Sequence, residues 1–283
     1  MPKLAPSLKA LINAPFARPD PTAATARITE VYKAIASDAA KHKVGLQPWV
    51  TLTSAATFTL NSPESLAALH KVASESAPSS LANPKVQTAE LIREVGLKCI
   101  SFNGIPRNIN CLNAFYASLP ADVTSQLATR GTRQPTEANL ADITKRGRGL
   151  WNSVYAPFEN KLVEKLATSH PDLPVHILNS HYGPLLSDPS ERHGLAKTGR
   201  VLTSVIAIAC LRAQTGVGPQ VLSHVFGLRK GIEDGSYKTA GEEAVEGAEW
   251  LASDEGSEWI LRSVDSISEA LGGGNFARPG AKL

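Results

Sequence analysis

The chain is expected to fold entirely from α-helices. Three observations predict this. Apolar residues recur at helical spacing along most of the 283 residues. No run alternates apolar and polar residues between hairpin turns, as a half-buried strand would. Prolines and glycines fall at the ends of the periodic stretches, where they start or stop helices.

Residues 1–22 are Pro-rich and read as a surface wrap. Residues 23–41 form the first amphipathic helix, with Ile28, Val31, Tyr32 and Ile35 on one stripe. Pro48 opens a second helix that runs to about Leu60. Ser62-Pro63 reads as an N-cap followed by proline at the first helical position. The helix it opens, to about Ser76, aligns Leu66, Leu69, His70 and Ala73. A Ser/Pro/Asn loop precedes a long helix over residues 84–102, which Asn103-Gly104 ends. Pro106 restarts a helix to Leu119 with Ile109, Leu112, Phe115 and Tyr116 as its buried stripe. Residues 121–135 are a polar connection. Helical patterning returns over residues 136–155, weakened by Gly147 and Gly149. Another helix, 157–169, turns Leu162, Val163 and Leu166 inward. The segment PVHILNSHYGPLL (174–186) is short, apolar and interrupted by Gly183-Pro184. A helix-length apolar run over 201–211, a loop at 214–218, a second helix opened by Gly218-Pro219, and helices over 239–252 and 254–271 complete the chain. The implied organisation is a wrap and helix (1–46), a first unit (47–120), a helical connection (121–197), a second unit (198–271) and a tail (272–283).

Composition narrows the function classes. Hydrophobic residues make up 42% and charged residues 19%, the balance of a soluble globular protein. The apolar runs are far shorter than a bilayer span, so no membrane span is expected. A net charge of +3 lacks the concentrated basic face that nucleic acid demands. The basic knot Lys145, Arg146 and Arg148 reads as a solvated helix end. Cys99, Cys111 and Cys210 form no CxxC, and buried thiols are the expectation for them. The histidines show no HExxH and no Cys/His spacing for a metal, so no metal and no cofactor are expected. The N-terminal MPKLAPSLKALINAPF is too short and too Pro-broken for a signal peptide. The last three residues, Ala281, Lys282 and Leu283, resemble the Ser-Lys-Leu address of the peroxisomal import receptor, which implies that receptor as a partner and the peroxisomal matrix as location. The competing reading is a chance tripeptide on a frayed tail.

Residues 199–230 carry the clearest candidate chemistry. A nearly uncharged apolar helix is followed by Gly218-Pro219 and a second helix. That helix places Gln220 and His224 one turn apart on one face. A fainter copy lies earlier. Leu52-Thr53-Ser54 aligns with Leu202-Thr203-Ser204, 150 residues on, and His70 with His224, 154 residues on. The order helix, loop, proline, helix, histidine favours duplication. Two such units would pack on each other as an intramolecular pseudo-dimer with a cavity near the interface.

The segment from Arg200 through Pro219, Gln220, Ser223, His224 and Val225 to Gly227-Leu228 resembles the core of the carboxymuconolactone decarboxylase-like (AhpD-like) superfamily. The preceding HYGPLLSDP (181–189) resembles the lead-in to that core. ELIREV (90–95) and GIPRNINCL (104–112) are similar to the family's closing helices. With the duplication and the terminal tripeptide, the whole resembles fungal peroxisomal members. The resemblance implies an all-α fold of two tandem divergent repeats that assembles as a homo-oligomer. The peroxidase branch of this superfamily carries C-x-x-C-x-x-x-H. Here those cysteine positions hold Val217 and Gln220 before His224, and Pro63 and Leu66 before His70, which argues against a thiol peroxidase of that type. The decarboxylase-like branch keeps a histidine with a polar residue one turn before it, as Gln220 and His224 do.

The reading favoured from sequence is a cofactor-independent lyase or isomerase acting on a small carboxylate, lactone or acyl-derived substrate by proton transfer. His224 would move the proton and Gln220 would hold a carbonyl or enolate oxygen. His181 is a candidate second acid or base. Tyr182 and Arg107 are candidate substrate contacts, Arg107 through the planar fork that suits a carboxylate. Each has a structural alternative: a core histidine for His224, a turn anchor for His181-Tyr182, a surface arginine for Arg107. Arg200 is expected at a helix-end salt bridge. The competing function is a non-catalytic ligand-binding or interaction protein on the same scaffold.

Overall fold

A computed structural model describes residues 3–238 and 244–272. The described residues contain α-helices, 3₁₀ turns and one π-helical stretch, with no strand. In chain order the helices are α1 (Pro6–Ile12), α2 (Ile28–Lys41), α3 (Leu46–Thr59), α4 (Pro63–Glu75), α5 (Pro84–Lys98), α6 (Ile100–Asn103), α7 (Ile105–Ser118), α8 (Ala121–Thr124), α9 (Leu140–Tyr155), α10 (Glu159–Ser169), α11 (Asp172–His176), α12 (Gly199–Gln214), α13 (Gly218–Glu233), α14 (Ala248–Leu251) and α15 (Asp254–Ala270). The tripeptide Ala281, Lys282, Leu283 and the start of the helix expected over 239–252 lie outside the described residues; within them that helix begins at Ala248.

Two helices form the centre. Every residue of α3 from Pro48 through Thr59 is buried, as is every residue of α12 from Arg200 through Leu211. A helix apolar on all sides can be stable only when neighbours surround it. Here α3 and α12 pack against each other, with α4 and α5 beside α3 and α13 and α15 beside α12. Three of the four buried threonines of α3 return their hydroxyls to their own helix: Thr53 to Trp49 O, Thr57 to Thr53 O and Thr59 to Ala55 O, all within 2.7–2.8 Å. Tyr32 of α2 meets the Thr57 hydroxyl at 2.6 Å. One hydrophobic core runs continuously from Ile28 to Leu271.

Several expectations are corrected in detail. On α7 the buried residues are Asn108, Cys111 and Phe115, whereas Ile109 and Tyr116 are 52% and 51% exposed. Helical periodicity identifies an apolar stripe but not what covers it. The connection 121–135 is not merely polar, because Val123 and Leu127 enter the core. The Lys145–Arg148 knot lies within α9 rather than at its end, with Arg146 paired to Asp142 and Arg148 bonded to Asn160 at 2.5 Å. Residues 174–186 do not break at Gly183-Pro184: α11 continues into a π-helix, Ile177–Leu186. Its closing bond runs from Ser187 N–H to Tyr182 O, five residues back, at 3.1 Å. The wider π turn accommodates Pro184, which has no N–H to donate. Gly147 is a packing requirement as well as a weak helix former. A Cβ there would lie 2.5 Å from the backbone of Gly183, so the two glycines let α9 and the π-helix cross in contact.

A buried ionic network joins the loop before α12 to α5. The ammonium of Lys98 is fully buried and donates to Leu186 O and Asp188 Oδ1, both at 2.6 Å, and to Thr198 Oγ1 at 2.5 Å. Asp188 Oδ2 accepts the first N–H of α12, from Gly199, at 2.7 Å. Burial raises the Asp188 carboxyl, but Lys98, the Gly199 N–H and Arg133 outweigh it and hold the group below its ordinary value. One turn before Lys98, buried Glu94 binds Arg133 at 2.5 Å and Arg192 at 3.1 Å. This network fixes where α12 begins, and with it the position of Arg200.

Candidate ligand-binding site

Gly218-Pro219 starts α13 as expected, with Val217 preceding it in a non-helical conformation. The helix buries His224, Gly227, Leu228 and Gly231. Both glycines leave room for the guanidinium of Arg200, which passes beneath them from α12. Arg200 is buried. It donates to Ser153 Oγ at 2.9 Å, to Ser153 O at 3.2 Å, to Gly227 O at 2.6 Å and to the Ser204 hydroxyl. It thereby ties α9, α12 and α13 at one point.

His224 sits beside this junction. Its Nε2 faces the Tyr155 hydroxyl at 3.4 Å, and the Tyr182 hydroxyl donates to Tyr155 at 3.2 Å. Trp151 supports both tyrosines, with ring centroids 4.3 Å from Tyr155 and 5.1 Å from Tyr182. Phe102 presents an edge-to-face contact to the imidazole. Burial, then the charge of Arg200, pushes His224 down to about 4, so its ring is neutral at pH 7. Burial raises Tyr155 and Tyr182, which both remain phenols. The result is a line of neutral hydroxyl and imidazole groups.

Tyr155 is where this line meets solvent. It borders an open groove of about 630 Å³ between the end of α9, the start of α10 and α13. Val154, Pro157, Phe158, Leu162, Phe226 and Gly227 make its surface apolar. His224 lies behind Tyr155 and does not border the groove.

The other candidates lie elsewhere. Gln220 is exposed on the first turn of α13, although it shares a helix with His224. His181 is half-buried; its Nδ1 pairs with Ser101 Oγ at 3.0 Å and its ring meets His176 edge-on. Burial, then His176, lowers its pKa. Arg107 donates to Thr59 O at 3.1 Å, at the end of α3. Of the five residues singled out from sequence, the structure brings His224 and Tyr182 into one cluster. His70, the earlier copy, is buried and its Nε2 bonds to Lys85 O at 2.8 Å.

Tyr155, Trp151 and Ser153 are the residues sequence reasoning missed. Trp151 and Tyr155, four apart on an amphipathic helix, were the available signal. Among the described residues no three His, Cys, Asp or Glu side chains converge as metal ligands, and no helix is long and apolar enough to cross a membrane. Cys99 and Cys210 touch, sulfur to sulfur at 3.5 Å, but both are fully buried and burial raises the Cys99 thiol well above its ordinary value. A peroxidatic thiolate needs the opposite surroundings. No family model, no curated protein and no solved structure matches the chain.

Proposed function

We propose that the chain is a carboxymuconolactone decarboxylase-like peroxisomal protein of two tandem divergent repeats, whose α9–α13 groove binds a small carboxylate, lactone or acyl-derived compound. The observation that carries this reading is Tyr155, which lines a largely apolar groove while its hydroxyl bonds back to Tyr182 and His224. Such a site holds one oxygen of an apolar ligand and fixes its orientation. Binding without turnover is the use the geometry supports best. A histidine held at about 4 is a weak base at neutral pH, and Gln220 is exposed on the outer turn of α13. The exposed stripe of Ile105, Ile109 and Tyr116 on α7 supports assembly of copies into a homo-oligomer.

A second reading keeps the same groove as the active site of a cofactor-independent lyase or isomerase. It is favoured by the contact from Tyr155 to His224, which gives a bound oxygen a hydroxyl donor with an imidazole behind it. Calorimetric titration with octanoate and γ-octalactone separates the two. The wild type should bind at least one of them, and Tyr155→Phe, which removes one hydroxyl, should weaken it roughly two- to tenfold. Equal affinity in the variant would remove Tyr155 from the site. NMR in D₂O then reads turnover: deuterium entering the α-carbon of γ-octalactone, and lost in His224→Leu, would establish proton transfer over binding alone.

A further inference from the structure

The groove is apolar along its floor and of one charge sign at its rim. On α10, Lys161, Leu162 and Lys165 line it; on α13, Ser223, Phe226, Gly227 and Lys230 do. These are helical stripes, running about 6 Å along α10 and about 10 Å along α13. Phe158 and Phe226 stand at the groove 64% and 63% exposed. No aspartate or glutamate lines it. Lys230 is held by Asp234 at 3.1 Å on its own helix and by Ser153 O at 3.4 Å. Lys161 and Lys165 are exposed, and among the described residues neither has an ion-pair partner. A cavity of about 730 Å³ between α2 and α15 contrasts with this, because its lining mixes Arg27, Lys41 and Arg262 with Asp38, Glu255 and Glu258.

We infer that the groove is a binding site for a free medium-chain alkanoate, whose alkyl chain lies against Val154, Leu162, Phe158 and Phe226 and whose carboxylate is held by Lys161 and Lys165 at the rim. The inference rests on the groove being the ligand site and adds the ligand's class. Two features argue for an anionic amphiphile. The apolar walls reward an alkyl chain in proportion to the area it covers. The rim lining offers positive charge with no carboxylate among it, so a terminal anion is held more tightly than an alcohol or an amine. A volume of about 630 Å³ is in the range of small-molecule sites.

The experiment is calorimetric titration of the full chain with decanoate, 1-decanol and decylammonium, for wild type and Lys161→Gln/Lys165→Gln. Wild type should prefer decanoate, and its Kd should tighten about fourfold per added methylene from hexanoate to decanoate. The double variant should lose about tenfold for decanoate and bind 1-decanol unchanged, with its thermal midpoint unaltered because both positions are exposed. Equal wild-type affinity for decanoate and 1-decanol, or an unchanged decanoate Kd in the double variant, would overturn the inference. Sedimentation with phosphatidylglycerol vesicles without binding of soluble decanoate would overturn it in favour of a membrane-surface patch. Lysine dependence that persists in Tyr155→Phe, with Tyr155 itself without effect, would support the alkanoate site while refuting the Tyr155–His224 reading.

Discussion

His224 ties the stability of this chain to acid. Its pKa is lowered from 6.5 to about 4 in the folded protein, first by burial and then by Arg200. An unfolded chain takes up the proton as pH falls through about 6.5, and the folded one does so only near 4. Its contribution is therefore present above that window and is lost between about pH 6.5 and 4, by up to roughly 3 kcal/mol. Burial lowers His70 and His181 in the same direction, which steepens the loss. Urea unfolding at pH 7 and pH 4.5 checks this: His224→Leu should lose less stability between the two than the wild type. Asp188 acts in a lower window, since its depressed carboxyl retains its contribution until pH falls below the ordinary carboxylate value. His224 was legible in the sequence because Gln220 and a Gly-Pro start mark its helix. Its partner was not, because Tyr155 lies 69 residues away and the contact exists only once α9 and α13 pack. The same holds for Lys98, whose partner Asp188 is 90 residues distant.

Helix starts and stops were largely legible, since Pro63, Pro84, Pro106 and Gly218-Pro219 each act locally. What a helix faces is a property of its neighbours, and there the sequence misled in two places. On α7 Phe115 is buried as expected but Ile109 and Tyr116 point outward, and Gly183-Pro184 bends into a π turn instead of ending the segment. The glycines of α9 make a test. Gly147 meets the backbone of Gly183, while nothing lies within 4 Å of a Cβ at Gly149. Alanine improves helix propensity at either position by up to about 1 kcal/mol. Gly149→Ala should therefore raise the thermal midpoint. Gly147→Ala should lower stability by about 1–3 kcal/mol, because backbone rather than a flexible side chain must give way. Equal midpoints for the two variants would show that the crossing is loose.

At the scale of the molecule, the described residues form one large core and one small one. The first holds α3 and α12 with residues from both ends of the chain. The second gathers Trp151, Tyr182 and Leu186, with half-buried residues of α10 packed on it. α10 itself buries no residue fully. Hydrogen exchange should follow this division. Amides of α12 from Leu202 to Leu211 should exchange only with global unfolding, and those of α10 through local opening well below that free energy. Uniform protection across both would refute the division. The sequence suggested a helical connection over 121–197, but not the small core of Trp151, Tyr182 and Leu186 beside the site, because that core forms from residues of separate elements.

The position of α10 has a thermodynamic consequence. Lys161, Leu162 and Lys165 give one wall of the groove to α10, a helix with no fully buried residue. Any molecule that binds there needs that wall in place, so its observed affinity is the intrinsic affinity reduced by the fraction of molecules with α10 open. Linkage also runs the other way: occupancy lowers the open fraction of α10 by the same free energy. Ligand affinity and helix order are thus two measurements of a single equilibrium, and a mutation that loosens α10 weakens binding without touching a contact atom.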